Sequence, residues 1–435
     1  MRARRLFATG SDRRLFADIT PLKNPDFRRL WLAGIVTVIG GNLTVFAVPV
    51  QLYALTRNSA YVGLAGLFAL VPLIVFGLLG GAWADAMDRR TLLIITSCGL
   101  AVASVLLWAQ AVFAGDLGRN QVWLVLVLLA VQQSFFAVNW PTRGAAIPRM
   151  LPIDQLPAAN SLNMTVQQFG AIAGPLLAGV LLQWVDLSTL YLIDAIACIA
   201  PIWATLRLSP MPVIDAVVAG SRWGVGAVLE GFRYLAGNQV VLMSFVVDII
   251  AMVFGMPRAL FPQMANENFG GPVEGASTMA LLAAAISVGA VGGGVFSGWL
   301  PRIRRQGLAV IVAIVVWGLA IIGFGVCAAF AGGRPGAMLW IALAFLALGG
   351  AADMVSAAFR STILQEVASD DLRGRLQGVF IVVVGGGPRL ADAVHGAAAA
   401  AVGTTVAAAG GGVLVVVGVL LAALAAPAFV RYRPG

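Results

Sequence analysis

The chain has 435 residues, of which 60% are hydrophobic and only 11% are charged. Soluble domains keep about a quarter of their residues charged, so this composition excludes a water-soluble globule and indicates an integral membrane protein. The net charge of +9 could suggest a nucleic-acid binder, but the basic residues recur in alternate loops between apolar runs, which is typical of membrane proteins instead.

Apolar runs long enough to cross a bilayer recur along the whole chain. A helix needs roughly 20 apolar residues to cross the hydrocarbon core, and charges, prolines and glycine-rich turns separate twelve such runs. We therefore predict an all-α membrane protein with twelve transmembrane helices. The predicted spans are residues 30 to 55, 61 to 84, 91 to 114, 121 to 141, 160 to 184, 188 to 207, 239 to 263, 276 to 300, 307 to 331, 337 to 359, 374 to 398 and 405 to 430.

The orientation follows from the basic residues, which are concentrated before the first span and in every second loop. The intervening loops carry only Arg57, Arg119 and Arg334. The positive-inside rule then predicts that both termini lie in the cytoplasm. The first thirty residues are too polar for a cleavable signal peptide, so we expect a multi-pass protein of the bacterial inner membrane with a retained cytoplasmic tail.

The longest polar segment divides the spans into two blocks of six. We predict an N-terminal tail at 1–29, a six-helix bundle at 30–207, a linker at 208–238, a second bundle at 239–430 and a cytoplasmic C-terminus at 431–435. Two pseudo-symmetric six-helix bundles are typical of secondary transporters, whose substrate site lies between the halves. The linker stretch "GAVLEGFRYL" predicts an amphipathic helix on the membrane surface, or a plain linker helix packed on the protein.

The residue groups that enzymes and metalloproteins need do not stand out in this sequence. Cys98, Cys198 and Cys327 lie in separate apolar runs, which predicts buried thiols rather than a disulfide framework. A single histidine and no Cys/His cluster predict no transition-metal site. We find no phosphate-binding P-loop and no nucleophile constellation, so we expect neither an enzyme nor a bound cofactor.

Neutral amides are the polar side chains at depth in the first half. These amides lie in spans one and four, and the substrate site of a two-bundle transporter lies between its halves, so we take them as candidates for the substrate cavity. Hydrogen bonding between helices is an equal alternative for them. The candidates are Asn42, Gln51, Gln132, Gln133 and Asn139.

The stretch "GGAWADAMDRRT", Gly80 to Thr91, places two acids and two arginines between spans two and three. It resembles the signature loop of the major facilitator superfamily, G-x-L-A-D-R-x-G-R-R-x-x-L, at the same place between spans. Ala86 replaces the first arginine of that pattern and Asp88 its second glycine, so the usual charge relay is altered. The matching residues are Gly81, Ala84, Asp85, Arg89, Arg90 and Leu93.

The resemblance implies a contact between the two halves at this loop. In that family the acid of the loop binds the start of span eleven when the transporter is open to the outside. Here Asp85 would meet Arg373 and Arg375 of "DDLRGRLQG", at the positive end of a helix. We call this contact the interdomain latch, and a solvated turn is the alternative.

Span five contains the stretch "GAIAGPLLAG", with Gly170, Gly174, Pro175 and Gly179. Glycines four residues apart form a flat face for close helix contact, and the proline removes a main-chain hydrogen bond. The stretch resembles the G-x-x-x-G-P-x-x-G pattern that is associated with antiport in exporters of the superfamily, although its last glycine comes one residue late. A role in packing alone is the alternative.

Placing an ionisable side chain deep in a membrane costs free energy, so such a residue is first considered as a functional one. In this chain most of these residues lie in the second half. Asp248, Asp353, Asp392 and His395 are the candidates for proton coupling, because desolvation lets a buried carboxylate hold a proton near neutral pH. Asp248 and Asp353 are preferred, since His395 could simply sit near the outer interface.

Two arginines at depth could act on the substrate. Arg258 could attract an anionic substrate or pair with Asp392, and Arg389 is a further cavity candidate that could neutralise the same aspartate. Asp194 in span six is expected near the outer surface, where it needs no function.

Further stretches resemble the branch of the superfamily that contains the enterobactin exporter and related macrolide and drug exporters. The resemblance implies proton-coupled export of a siderophore or similar amphipathic metabolite by a monomer, in contact with the bilayer and without nucleic acid. The alternatives are a multidrug or macrolide exporter and a scaffold or sensor that does not transport. The stretches are "NPDFRRLWLAGIVTVIGGNLTVFAVPVQLYALT", "PTRGAAIPRMLPIDQLPAANSL", "LEGFRYLAGNQVV" and "LRGRLQGVF".

Overall fold

The structure is a computed structural model that describes residues 18–113, 120–211, 238–271, 275–367 and 370–433. Within these ranges, the side chains at 78, 81–82, 84–86, 299, 301, 365–382 and 384 are not described. Most of the linker, including "GAVLEGFRYL", lies outside the described residues, so the predicted surface helix and the domain limits stay predictions.

The secondary structure of the described residues is helical, and we label the long helices α1 to α12. Eleven helical segments in this part of the chain are long and apolar enough to cross a membrane. α11, with 33 residues, lies where the eleventh span is predicted, and the predicted all-α membrane fold is confirmed. The bounds are α1 Pro25–Thr56, α2 Ser59–Ala86, α3 Arg89–Phe113, α4 Asn120–Met150, α5 Leu156–Leu181, α6 Leu187–Ala197 with a continuation Ile199–Leu206, α7 Gln239–Gly255 with short helical turns from Arg258 to Phe269, α8 Ala276–Val295, α9 Gln306–Phe330, α10 Ala337–Val367, α11 Asp370–Val402 and α12 Thr404–Ala425.

Short polar side chains set the starts of several helices. Asn24 and Asn58 accept hydrogen bonds from main-chain N–H groups in the first turns of α1 and α2, at 2.9 and 2.8 Å. Asp88 accepts one from the N–H of Thr91 at 3.0 Å and so caps α3. Such caps satisfy donors that a first helical turn leaves free. The aspartate that replaces a glycine of the superfamily pattern therefore serves as a helix cap.

Two helices extend well beyond the predicted apolar spans. α4 continues past Pro141 and Pro148 to Met150, and α10 continues past Arg360 to Val367. Neighbouring helices can satisfy the groups that a proline frees in a membrane helix, and Arg360 stays helical because it is buried against an acid of α7. The predicted spans marked apolar cores, and both helices continue into more polar residues beyond them.

Each half is a bundle in which the helices pack in a fixed set of pairs. In the first half α1 packs on α5 and α6, α3 packs on α4 and α6, and α2 packs on α4. In the second half α10 packs on α8 and α9, while α12 packs on α7 and α9. The halves meet along α2 with α11 and along α5 with α8.

Glycines allow close main-chain approach where the halves meet. Gly63 of α2 lies against the carbonyl of Asp392 and the Cα of Gly396, both on α11. Gly179 of α5 lies against Ala280 of α8. A side chain at either glycine would overlap the opposite helix, so these contacts depend on residues without a Cβ.

Polar contacts between the halves lie at the end of the bundle that carries the α1–α2 turn, which we call the distal end. Tyr53 Oη donates to Glu267 Oε1 at 2.6 Å, and Ser59 Oγ donates to Gln263 Oε1 at 2.6 Å. α1 begins and α12 ends at the opposite end, which we call the terminal end. The structure is thus closed at the distal end, which the predicted orientation places outside the cytoplasm.

Replacing Gly63 with leucine should force the halves apart at the distal end, because the new side chain meets the main chain of α11. Spin labels at Asp186 and Arg334, both exposed in distal turns, would report a longer distance in G63L by pulsed electron paramagnetic resonance. Gly77 lies on the same helix with open space where its Cβ would stand, so G77L should keep the wild-type distance. An unchanged distance in G63L would show that this contact does not hold the distal end closed.

Candidate functional site

A buried ion pair joins α7 and α10 in the second half. Arg360 Nη1 pairs with Asp248 Oδ1, and both side chains are almost fully buried, with 9% and 3% of their surfaces exposed. The Arg360 Nε also donates to the carbonyl of Ser356 at 3.4 Å. A charge in a low-dielectric interior needs a partner of this kind, so Asp248 is held by Arg360.

Asp353 shares the same guanidinium from two turns of α10 further towards the distal end. Its Oδ1 lies 3.9 Å from Arg360 Nη2, yet 31% of its side chain is exposed. Because Asp353 lies in the middle of α10, this exposure opens into space within the membrane-spanning region. Asp248 and Asp353 therefore differ: the first is enclosed by protein, whereas the second can exchange with a solute.

A second group of charges lies where α11 faces the first half. Arg389 Nη2 donates to Gln133 Oε1 of α4 at 3.2 Å, a hydrogen bond that crosses between the halves. Asp392 follows one turn later on α11 and interacts electrostatically with Arg389 and Arg258. Arg258, exposed in the turn after α7, also acts on Asp353. The structure thus brings both predicted cavity arginines together with two of the predicted aspartates.

These side chains form a charge-balanced cluster. The carboxylates of Asp248, Asp353 and Asp392 face three guanidinium groups, those of Arg258, Arg360 and Arg389. The charges cancel when every group is ionised, and one bound proton leaves a net positive charge. A cluster of this kind can couple the binding of a proton to the binding of a charged or hydrogen-bonding solute.

His395 is packed inside the second half rather than near its surface. It is 2% exposed, and its Nδ1 lies 3.1 Å from the carbonyl oxygen of Ala391, which accepts the hydrogen bond when that nitrogen carries the proton. A side chain at Gly411 of α12 would meet its Nε2. His395 is therefore enclosed by protein, and both its depth in the membrane and its part in proton coupling stay predictions.

The first half holds a buried carboxylate that the sequence analysis placed wrongly. Asp194 of α6 is 2% exposed, and its Oδ2 accepts hydrogen bonds from Thr44 Oγ1 at 2.6 Å, Ser104 Oγ at 2.8 Å and Gln132 Nε2 at 3.4 Å. These donors come from α1, α3 and α4. Asp194 thus ties four helices together inside the bundle and does not lie at the membrane surface.

Most amides predicted to line a cavity make contacts within the first half. Gln51 exchanges hydrogen bonds with Gln110 of α3, at 3.1 and 3.0 Å, and accepts one from the hydroxyl of Tyr191 at 2.8 Å. Asn139 donates to Thr96 Oγ1 at 2.8 Å. Gln132 bonds to Asp194, as described above, so the alternative of hydrogen bonding between helices applies to all three.

Asn42 and Gln133 occupy different surroundings from those three amides. Asn42 is half-buried, donates to the carbonyl of Val38 at 2.7 Å on its own helix and packs against Gly174. Gln133 is the predicted cavity amide that the structure joins to the other half, through Arg389. Gln133 is therefore the cavity candidate from the first half with the strongest geometric support.

The glycines of span five serve two contacts. Gly170 packs against Val38 and Gly174 against Asn42, both on α1. Gly179 packs against α8 in the other half, as described above. Pro175 lies inside α5 without ending it. Packing within the bundle accounts for the first two glycines, whereas the third lies at the meeting of the halves.

The latch residues are only partly described. The backbone of α2 reaches Ala86 and α11 begins at Asp370, but the side chains of Gly81, Asp85, Arg373 and Arg375 are outside the described set, so the latch stays a prediction. Arg89 and Arg90 bind main-chain carbonyls of the first half, those of Ala145 at 3.0 Å and Leu206 at 2.6 Å.

Sequence reasoning missed Arg360 as a functional residue. The predicted tenth span ended at residue 359, one position before it, so Arg360 was not counted among the ionisable groups at depth. Ser356 and Arg360 are four apart and lie on the face of α10 that also carries Asp353. Helical spacing from Asp353 could have drawn attention to this arginine.

Comparison with known proteins identifies relatives along most of the chain. A model of the transmembrane secretion effector family matches residues 16–430. The sequence is 26% identical over 362 residues to the enterobactin exporter of Citrobacter koseri, and the alignment covers 82% of this chain and 81% of that protein. An enterobactin exporter of Escherichia coli O157:H7 is 26% identical over 361 residues, with the same shares covered.

Solved structures of transporters share the fold. The nucleoside transporter NupG superposes with a TM-score of 0.70 at 14% identity, covering 94% of this chain and 100% of that one. A bacterial homologue of the iron transporter ferroportin, in an inward-facing state, superposes with a TM-score of 0.67 at 14% identity, covering 94% and 99%. At these sequence identities the similarity to the two solved structures concerns the fold and does not extend to the substrate.

Removing one partner of the Asp248–Arg360 pair should destabilise the protein strongly. R360Q and D248N each leave a buried charge uncompensated, which costs about 3–5 kcal/mol, and should lower the unfolding temperature in detergent. The double variant should lose less than the sum of the two. R334Q, in an exposed turn, is the control. Strictly additive losses would contradict a direct pairing.

Truncating Asp194 should loosen the first half. D194A removes the acceptor of the Thr44 and Ser104 hydroxyls, at about 1–3 kcal/mol for each group, while Gln132 keeps its hydrogen bond to Ser104 Oγ. D194N keeps one acceptor oxygen and should lose less. Unfolding temperatures in detergent measure the difference, with D186A in an exposed turn as the control. If D194A unfolds at the wild-type temperature, the three hydrogen bonds contribute no stability.

Proposed function

Because this chain belongs to the transmembrane secretion effector family of the major facilitator superfamily, we propose that it exports an amphipathic small molecule in exchange for protons. Membership in this family makes it a multi-pass transporter of the inner membrane and not an enzyme. The direction of transport, the coupling to protons and the class of cargo are what we propose.

The surroundings of Asp353 are the observation that supports the proposal most directly. It is accessible inside the membrane-spanning region and lies beside a guanidinium that already has a closer partner in Asp248. The single charge of Arg360 therefore acts mainly on Asp248, and Asp353 receives the smaller share of it. A carboxylate with a shared counter-charge and access to solutes can take up a proton and release it again. We assign proton exchange to Asp353 and a positioning role to Asp248.

Antiport requires that the proton and the cargo exclude each other. An ionised Asp353 can accept hydrogen bonds from donor groups of the cargo, and its protonation turns one oxygen into a donor and weakens the other as an acceptor. Proton binding from the outside would then release cargo, and proton loss to the cytoplasm would restore the site. Alternating access between these steps would use the glycine contacts of α2 with α11 and α5 with α8, together with the predicted latch at Asp85.

The preferred cargo is a siderophore or a similar secondary metabolite with an anionic group. Arg258 is exposed and Arg389 is half-buried near the meeting of the halves, so both offer positive charge to a bound anion. The relatives at 26% identity are named enterobactin exporters, which favours this class. A macrolide or another drug is the second candidate, and a scaffold without transport is the third.

The D353N variant tests the proposed coupling. In proteoliposomes with an imposed pH gradient, D353N should lose gradient-driven transport of a labelled catecholate siderophore, because it can no longer release a proton. Exchange of labelled for unlabelled cargo without a gradient should persist at raised cargo concentration, since that reaction needs no protonation step and the amide oxygen still accepts a hydrogen bond, though more weakly. D186N removes an exposed distal carboxylate and should transport like the wild type.

The outcomes separate the alternatives. Gradient-driven transport that survives in D353N would remove Asp353 from the coupling reaction. A wild-type protein that moves a macrolide but no siderophore would favour drug efflux. No gradient-dependent movement of any compound in a broad panel would favour the scaffold.

A further inference from the structure

An apolar groove lies at the terminal end of the second half, on the side of the bundle formed by α8, α9 and α10. Its volume is about 650 Å³, within the range of roughly 300–1,000 Å³ that is typical of ligand pockets. α8 and α9 form its walls, and both pack on α10, which forms its floor. Glycine, alanine and aliphatic side chains make up nearly all of the lining.

The groove faces the lipid rather than the space between the halves. Phe296 of its rim is 78% exposed, Val312 is 53% exposed and Leu348 is 50% exposed. α9, which forms one wall, belongs to neither of the helix pairs through which the halves meet. A groove that is open, apolar and directed outwards at this depth can receive a hydrocarbon chain from the bilayer.

Positive charge surrounds the end of the groove nearest the membrane surface. Arg305 lines the groove itself, and Arg302 and Arg304 are exposed in the same connection between α8 and α9. Nearby, Gly307 packs on the main chain of Phe429, just before the two arginines at the C-terminus. The sequence holds no acidic residue from 275 to 352, so neither α8, α9 nor their connection supplies a counter-charge.

We propose that this groove binds an anionic phospholipid of the leaflet at the terminal end. One acyl chain occupies the apolar groove, and the phosphate lies against Arg302, Arg304 and Arg305. Basic residues between transmembrane helices recognise anionic head groups in this way. The site is separate from the cluster at Asp353, so the proposal does not depend on the class of cargo.

Lipid binding to the purified full-length protein in detergent tests the proposal. The bound fraction of phosphatidylglycerol, phosphatidylcholine with the same acyl chains, and glycerol 3-phosphate can each be measured by native mass spectrometry. The wild type should prefer phosphatidylglycerol over phosphatidylcholine. Glycerol 3-phosphate, which has the charge but no chain, should not compete at equal concentration.

Two sets of variants separate the charge from the groove. Each basic residue at a membrane surface contributes roughly a fivefold gain in affinity, so R302Q/R304Q/R305Q should weaken phosphatidylglycerol binding about a hundredfold. G292L should weaken both phospholipids alike, because Gly292 lines the groove and its Cβ position is open space that the leucine would fill. G410L on α12 is the matched control, since its Cβ position is also open.

Three results would overturn the proposal. Equal binding of the two phospholipids by the wild type would remove the role of the head-group charge. Full phosphatidylglycerol binding in G292L would mean that the arginines attract lipid to an open surface and the groove holds no chain. Complete competition by glycerol 3-phosphate would identify a site for free phosphate instead.

Discussion

Every ionisable group within the hydrocarbon core must find its partner inside the protein, because lipid offers no hydrogen bond and no counter-charge. The two halves meet this requirement differently. In the first half, Asp194 is surrounded by neutral donors from three other helices. In the second half, carboxylates face guanidinium groups, and Asp248 and Asp353 share one of them. The first arrangement fixes one geometry, whereas the second leaves one carboxylate only partly neutralised.

This difference assigns distinct roles to the halves. A carboxylate with three hydrogen bonds, two of them short, holds α1, α3, α4 and α6 as one unit. A shared guanidinium has two carboxylates within reach and can respond when one of them takes a proton. Gln133 connects the halves, because its amide belongs to the first bundle and its hydrogen-bond partner Arg389 to the second. A change at the charge cluster can therefore reach the first half through this hydrogen bond and through the close packing of α11 on α2.

The sequence predicted the architecture well, because hydropathy along the chain records where a helix enters and leaves the membrane. It predicted side-chain surroundings less well, because helices that are apolar on nearly every face reveal little about their rotation. The partners of Asp194 lie on α1, α3 and α4, and the partner of Asp248 lies on α10, so no local pattern marks them. Arg360 was missed for a related reason: a buried arginine and a helix end look alike when the partner is distant in sequence.

The Asp248–Arg360 pair also constrains the order in which the second half can be assembled. The chain is made from its N-terminus, so α7 enters the membrane with Asp248 before the helix that carries Arg360 has been synthesised. Until α10 arrives, this carboxylate has no guanidinium to neutralise it. Before then Asp248 carries an extra cost in lipid, which protonation or shelter by other helices reduces. The Asp248–Arg360 pair therefore makes the stability of α7 in the membrane depend on a helix that is synthesised later.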